Sequence, residues 1–303
     1  MTSVAEHQSP TTAREGRRLR VGPTALAVPA ALWMVVFFAA PLLVFLVYSF
    51  LTAKLYAVSG PLTLDAYRDA LTTDVNATLA VNSLVVGVCV AATTVALGLP
   101  IAYWLRFAAG RWQALVFFLI TATLFASYLV RIYAWRSILG GNGLLNSGLE
   151  RLGILDQPLG FLLYNRFSVT VALVHIYLPY VVLVLYAGFR PVSPAIVEAA
   201  QDLGASAATR WRKVILPLVA APAATSFVLV FVLSAADYVT PQFLGGTDGA
   251  MLGVRIQSAL TGAGNWPLGA ALSFLTLGTF VTCYGLMLLL LRALRLDRIR
   301  FVA

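Results

Sequence analysis

Charge-free stretches divide this chain into six long apolar runs separated by short polar segments. A charged side chain at the centre of a bilayer costs about 2.5–3.5 kcal/mol on insertion scales, so runs without Asp, Glu, Lys or Arg mark candidate spans. Six runs, 21–53, 75–105, 112–130, 167–189, 214–236 and 256–291, are free of those residues. Each reaches the roughly 18 residues that a spanning helix needs. The next run, 137–149, has 13 residues and reads SILGGNGLLNSGL. It is too short, and too rich in Gly and Asn, to cross. The pattern predicts an all-α integral membrane protein with six transmembrane helices over 21–303, because a helix closes its backbone hydrogen bonds within itself. Pro41 and Pro179 fall inside spans and predict kinks there.

Composition narrows the class further. The chain has 303 residues, is 60% hydrophobic and 11% charged, and has a mean hydropathy of +0.87. A soluble domain carries roughly 25% charged residues. Nucleic-acid binders share the net charge of +9 but not this apolar content. Two cysteines, Cys89 and Cys283, both lie inside spans, where a free thiol acts as a small hydrophobe.

Divided by loop, the charge predicts an orientation. The N-terminal tail, 106–111, 190–213 and the C-terminal tail hold 14 basic residues against 5 acidic ones, whereas the remaining segments hold 7 of each. The positive-inside rule puts the first set, with both termini, in the cytoplasm. Residues 1–20 read as a polar, basic cytoplasmic tail. The first apolar run is longer than the 7–15 residues of a signal-peptide core, so no cleaved leader is expected.

Catalytic chemistry finds no support. A P-loop needs Gly-Lys-Ser/Thr, and neither Lys54 nor Lys213 follows a glycine. A zinc-protease helix needs two histidines four apart, whereas His7 and His175 are isolated. No Gly-x-Ser-x-Gly elbow and no metal-spaced cysteine pair occurs. No metal site and no cofactor within this chain is expected.

The informative polar segment is 190–217, RPVSPAIVEAAQDLGASAATRWRKVILP. Ser193 can cap a helix with Pro194 in its first turn. Gly204 suits a left-handed helix terminus. A second helix is expected from Ser206, as its cap, to near Leu216, where Pro217 interrupts it. Ala199, Ala200, Leu203 and Ala205 form a flat apolar patch. Glu198 and Asp202 sit one turn apart. Taken alone, the composition of this segment favours a positive-inside loop that anchors topology.

The run EAAQDLGASAATRWRKVILP resembles the Glu-Ala-Ala loop of binding-protein-dependent ABC importer permeases. That family's pattern is Glu-Ala-Ala, three residues, Gly, nine residues, then Ile-x-Leu-Pro. Glu198, Ala199, Ala200, Gly204, Leu216 and Pro217 match it, and Val214 stands where Ile is preferred. Further segments, LTLDAYRDAL at 62–71, YLVRIYAWRSILGGNGLLN at 128–146, ADYVTPQFLGG at 236–246 and GNWPLGAALS at 264–273, resemble spermidine/putrescine-type permeases, the first of the two permease subunits more than the second.

The resemblance implies a type I importer permease fold in the cytoplasmic (inner) membrane of a bacterium. It implies a second permease subunit in a heterodimer, two copies of a cytoplasmic ABC ATPase that carry the ATP and Mg, and an external binding protein. On this reading residues 190–217 are the coupling loop that docks on the ATPase. The cargo is expected to be a polyamine; another small solute is the alternative within the same machinery. A secondary carrier would need its own ion-coupling groups and gives no reason for the 190–217 loop.

Ionisable and aromatic groups within spans are candidate pathway residues. His175 lies in ALVHIYLPY, and its competing role is a packed histidine beside Pro179. Asp237 and Tyr238 lie near the outer end of the fifth run, and Tyr177 and Tyr180 complete the set. A cationic solute favours a carboxylate and aromatic faces. For Asp237 the alternative is a structural cap, or a pair with Arg131 or Arg255. Trp33, Trp104, Trp135, Trp211 and Trp266 are expected as interface anchors. The outer segments 136–166 and 241–266 are expected to meet the binding protein.

Overall fold

The computed structural model describes residues 23–54 and 57–293; the expected basic tail 1–20 and the arginines beyond residue 293 lie outside them. The chain divides into two units, residues 1–45 and 46–303. The first unit holds α1 (Pro23–Met34), a π-helical turn over Val35–Ala39, and most of α2 (Ala40–Tyr48). In the π turn the Ala40 N–H reaches back to Val35 O. Widening the turn immediately before Pro41 accommodates a residue that has no N–H to give. Phe37, Phe38 and Leu43 are exposed, as suits a helix whose solvent is lipid tails.

The second unit opens with a short antiparallel ribbon, β1 (Thr52–Lys54) and β2 (Ala57–Ser59), with Thr52 opposite Ser59. Then follow α3 (Asp65–Thr72), α4 (Asp74–Phe107), α5 (Gln113–Thr123), α6 (Tyr128–Leu139), α7 (Leu144–Arg151) and α8 (Arg166–Phe189). After these come α9 (Pro194–Asp202), α10 (Ala207–Arg210), a π turn over Trp211–Ile215, and α11 (Leu216–Ala235). The unit ends with α12 (Val239–Leu244), α13 (Leu252–Gln257), a π turn over Ser258–Gly262, and α14 (Trp266–Ala293).

Among the described residues five helices are long and apolar enough to cross a membrane: Ala31–Tyr48, Asp74–Phe107, Arg166–Phe189, Ala207–Ala235 and Trp266–Leu289. The third predicted run, 112–130, is not one straight helix. Gly110–Thr123 and Tyr128–Arg151 make a sixth span only as a pair bent by 93°. The break has a local cause. Leu124, Phe125 and Ala126 donate to carbonyls three residues back, tightening the last turn of α5. Ser127 then leaves the helical region at ψ 136. Arg131 folds back so that one guanidinium nitrogen donates to Ala126 O at 2.9 Å, a cation at a helix C-terminus. The last run also differs from the prediction. Its first residues form α13 and a π turn, and Gly264 at φ 61 turns the chain into α14. Asn265 Oδ1 accepts from Leu268 N at 3.1 Å and caps that helix. Helix α8 runs through Pro179 as one continuous helix.

The core lies where α4, α8 and α11 pack on one another, around Val90, Leu173, Val181 and Val230. Small residues permit the close approach, as lipid-facing bundles require. A Cβ on Gly87 would sit 2.8 Å from Ala235 Cβ, and one on Gly98 would sit 2.8 Å from Val181 Cγ1. Buried hydroxyls bond the preceding turn: Thr94 donates to Val90 O at 2.8 Å and Ser234 to Val230 O at 2.6 Å. These two hydroxyls spend their protons within their own helices and need no water. The segment after α12 folds back on α4, where Asn82 Nδ2 donates to Ala250 O at 2.9 Å and Leu252 N donates to Ser83 Oγ at 2.9 Å.

Candidate functional site

The 190–217 loop forms two short helices joined by a glycine turn. Ser193 Oγ accepts from Ala195 N at 3.3 Å, and Pro194 occupies the first turn of α9. Gly204 has φ 76, and Ala205 N donates to Ala200 O at 3.0 Å, closing the end of α9 with the left-handed residue that glycine allows. Ser206 caps α10, accepting from Thr209 N at 3.3 Å. Across the turn, Arg210 Nη1 donates to Gln201 Oε1 at 2.7 Å and holds the two helices at their angle. The second helix does not stop near Leu216. It continues through the π turn into α11, with Leu216 N–H bonding Trp211 O. The widened turn lets Pro217 sit in the first turn of α11, where its missing N–H is tolerated.

The outward face of α9 is open. Glu198, Ala199 and Gly204 are exposed, Ala200 is half-buried, and Leu203 is 88% exposed. Ile196 also faces outward, while Val197 and Val192 pack inward. An apolar stripe of Ile196, Ala199 and Leu203 at helical spacing therefore lacks a cover among the described residues. The far end of the loop is anchored. Trp211, expected only as an interface anchor, has its ring 5.1 Å from that of Tyr103, which lies 6.0 Å from Phe189 and 4.9 Å from Phe107. This aromatic cluster ties the loop to the C-terminal ends of α4 and α8. Its spacing of 82 or more residues between Phe107 or Tyr103 and the other two rings left no local signal in the sequence.

The candidate pathway residues fall into two groups. Asp237 is held from three sides: Tyr128 Oη donates to Oδ2 at 2.8 Å, Val239 N to Oδ1 at 3.1 Å and Thr240 N to Oδ2 at 3.2 Å. The carboxylate thus caps α12. Neither arginine expected as its partner serves: Arg131 donates to Ala126 O, and Arg255 Nε donates to Asn76 Oδ1 at 3.3 Å. Tyr128, which sequence reasoning missed, also shares a 2.9 Å hydrogen bond with Thr240 Oγ1. Tyr177 is buried, with its hydroxyl 3.4 Å from Leu233 O and its ring 6.4 Å from that of Tyr180. Tyr238 turns away from this group and lines a separate cleft of about 450 Å³ with Gln257, Thr261 and Ser273.

His175 stands apart from Asp237. Trp135 Nε1 donates to its Nδ1 at 3.2 Å, with the two rings nearly perpendicular at 5.6 Å between centroids. Trp135 is therefore a histidine partner as well as a boundary aromatic. Among the described residues no group of three or more His, Cys, Asp or Glu is placed to hold a metal ion.

A bundle of apolar helices, a small-residue core and a capped helix–glycine–helix loop leading into a span define a membrane permease of the binding-protein-dependent class. Residues 23–296 match the family described as binding-protein-dependent transport system inner membrane component, and the chain belongs to that family. It is 31% identical over 244 residues to the spermidine/putrescine transport system permease protein PotB of Haemophilus influenzae, covering 80% of this chain and 84% of that one. It is 30% identical over 258 residues to PotB of Escherichia coli K12, covering 85% and 92%. A bacterial alginate ABC transporter crystallised with its alginate-bound periplasmic protein shares the fold, at a TM-score of 0.72, 16% identity and 89% and 94% coverage. The chain is thus a multi-pass inner-membrane component of a transport system, with the type I permease fold.

Proposed function

We propose that this chain is one of two permease subunits of an ATP-driven importer that moves a small solute by alternating access. A second permease and two cytoplasmic ABC ATPases complete the membrane assembly, and an external binding protein delivers the solute. The observation that carries this reading is the 190–217 loop, whose outward apolar stripe has no cover among the described residues and whose other end is fixed to α4 and α8 by Trp211. A rigid body gripped at one end and open at the other can pass the motion of an ATPase groove to the spans. Ile196, Ala199 and Leu203 supply the docking surface, Glu198 pairs with a donor on the ATPase, and Gly204 sets the angle. Both termini lie in the cytoplasm on this reading, as the excess of basic residues in the loop set containing them supports.

Polyamines are the cargo favoured by relatives named for spermidine and putrescine transport. The test is purification through a tag on this chain, followed by uptake in inside-out-corrected vesicles. An ATPase should co-purify, and labelled spermidine or putrescine should enter only with ATP and the binding protein. Failure to recover any ATPase would remove the importer reading, and ATP-dependent entry of other solutes alone would remove the polyamine one. A second cargo reading, a small solute bearing an oxyanion, is favoured by one cleft of the structure.

A further inference from the structure

Between α4, α5, α6 and α8 lies a cleft of about 280 Å³. Its walls are apolar, formed by Ile101, Leu119, Leu178 and Val182, and its polar side chains include Arg131 and His175. The hydrogen bonds of these two residues fix what the cleft can accept. The indole N–H of Trp135 is a donor only, so His175 Nδ1 accepts and carries no proton. The neutral ring then bears its proton on Nε2, a second donor. Arg131 has five N–H donors and no acceptor. One of its terminal nitrogens bonds Ala126 O, while its Nε is buried and has no partner. Thr123, also at the cleft, spends its proton on Ile120 O at 2.6 Å. The carbonyl of His175, four residues before Pro179, loses its helical donor and is a main-chain acceptor here. It is a dipole and does not neutralise a guanidinium.

The cleft therefore presents one fixed positive charge and two donors, at least one of them buried and unsatisfied, against apolar walls. The Asp237 carboxylate is already engaged by Tyr128, Val239 and Thr240. An ammonium group brings a further cation and further donors to such a place. A carboxylate or phosphate supplies what is missing, and charge-assisted bonds to Arg are the strong kind.

We propose that this cleft is an oxyanion subsite of the solute pathway, in which Arg131 and His175 hold a carboxylate or phosphate group of a small solute. The proposal rests on the permease reading and departs from its polyamine cargo.

The test uses the assembled importer, purified through this chain into phosphatidylcholine nanodiscs. Sodium succinate and sodium phosphate are titrated at ionic strength held constant with chloride, and tryptophan emission is followed because Trp135 contacts His175. The wild type should give a saturable change with at least one of the two. Arg131→Gln should weaken it by about tenfold or more, and His175→Phe by about threefold or more. Trp135→Phe should remove the signal. The same affinity is expected in phosphatidylglycerol nanodiscs.

Absence of a saturable response in the wild type overturns the proposal, as does wild-type affinity in either variant. Arg131 also caps α5, so if Arg131→Gln fails to assemble, His175→Phe decides alone. Loss of the response in phosphatidylglycerol identifies a lipid headgroup as occupant and overturns the solute assignment. A response to spermidine instead of the anions does the same. Co-purification of the ATPase is scored separately. A complex that assembles and hydrolyses ATP without any anion response sinks this subsite and leaves the importer reading standing.

Discussion

Gly188 of α8 lies directly under the ring of Pro222 in α11, so close that a Cβ at Gly188 would sit 2.5 Å from Pro222 Cγ. A proline ring has no rotamer with which to withdraw. Gly188→Ala should therefore push the two helices apart and destabilise the core by about 1–3 kcal/mol, the usual cost of overpacking. The readout is the melting temperature of the purified complex. Gly278→Ala in α14, where nothing lies within 4 Å, should leave it unchanged. Equal behaviour of the two variants would show that α8 and α11 do not approach in this way.

The polar cluster at the start of α12 can be tested through Tyr128. Tyr128→Phe deletes the donor to Asp237 Oδ2 and the partner of Thr240 Oγ1. Hydrogen bonds to charged groups are worth about 1.5–3 kcal/mol, and the loss should appear in stability before any loss of uptake. Asp237→Asn keeps an oxygen to cap α12 and should be milder than Asp237→Ala. Combined with Tyr128→Phe it should cost less than the sum of the two, since both remove the same contact. An additive double variant would separate the two residues.

Much of this architecture was legible from charge alone, because the bilayer penalises charge so heavily that its absence draws the spans. The capped loop was equally readable: Ser193, Pro194, Gly204 and Ser206 act through backbone geometry within a few residues. What escaped depends on hydrogen bonds whose register is set over distance. Pro217 reads as a stop, and the π turn at Trp211–Ile215 that accommodates it has no sequence mark. The run 112–130 reads as a span, and its break follows from Arg131 reaching back to Ala126, one residue beyond the charge-free window. Asp237 and Tyr128 are 109 positions apart, so the cap on α12 was foreseeable while its tyrosine donor was not.

The anchor of the loop can be tested against its free face. Trp211→Ala removes a half-buried ring from the cluster with Tyr103 and Phe189, and should lower stability by about 2–3 kcal/mol, less than for a fully buried tryptophan. Leu203→Asp changes a side chain that is 88% exposed in this chain and should leave the melting temperature of the isolated permease unchanged. The second variant should nevertheless lose the co-purifying ATPase. A stable Trp211→Ala protein, or normal ATPase recovery with Leu203→Asp, would contradict the division of the loop into an anchored end and a docking face.

Gly204 separates backbone conformation from side-chain contact at the turn of the loop. Its φ of 76 disfavours any residue with a Cβ, yet nothing lies within 4 Å of where that Cβ would be. Gly204→Val should therefore act through the backbone alone, at about 1–2 kcal/mol for a left-handed conformation. Gly204→Asn should recover most of the loss, because asparagine tolerates that region. Since α9 and α10 meet at this turn and are bridged across it by the Arg210–Gln201 bond, the valine variant should change the angle between them while the spans insert normally. The expected phenotype is an assembled complex whose ATP hydrolysis no longer drives uptake, with coupling restored by asparagine. If valine and asparagine behave alike, the glycine is needed for something other than its φ, such as direct contact with the ATPase.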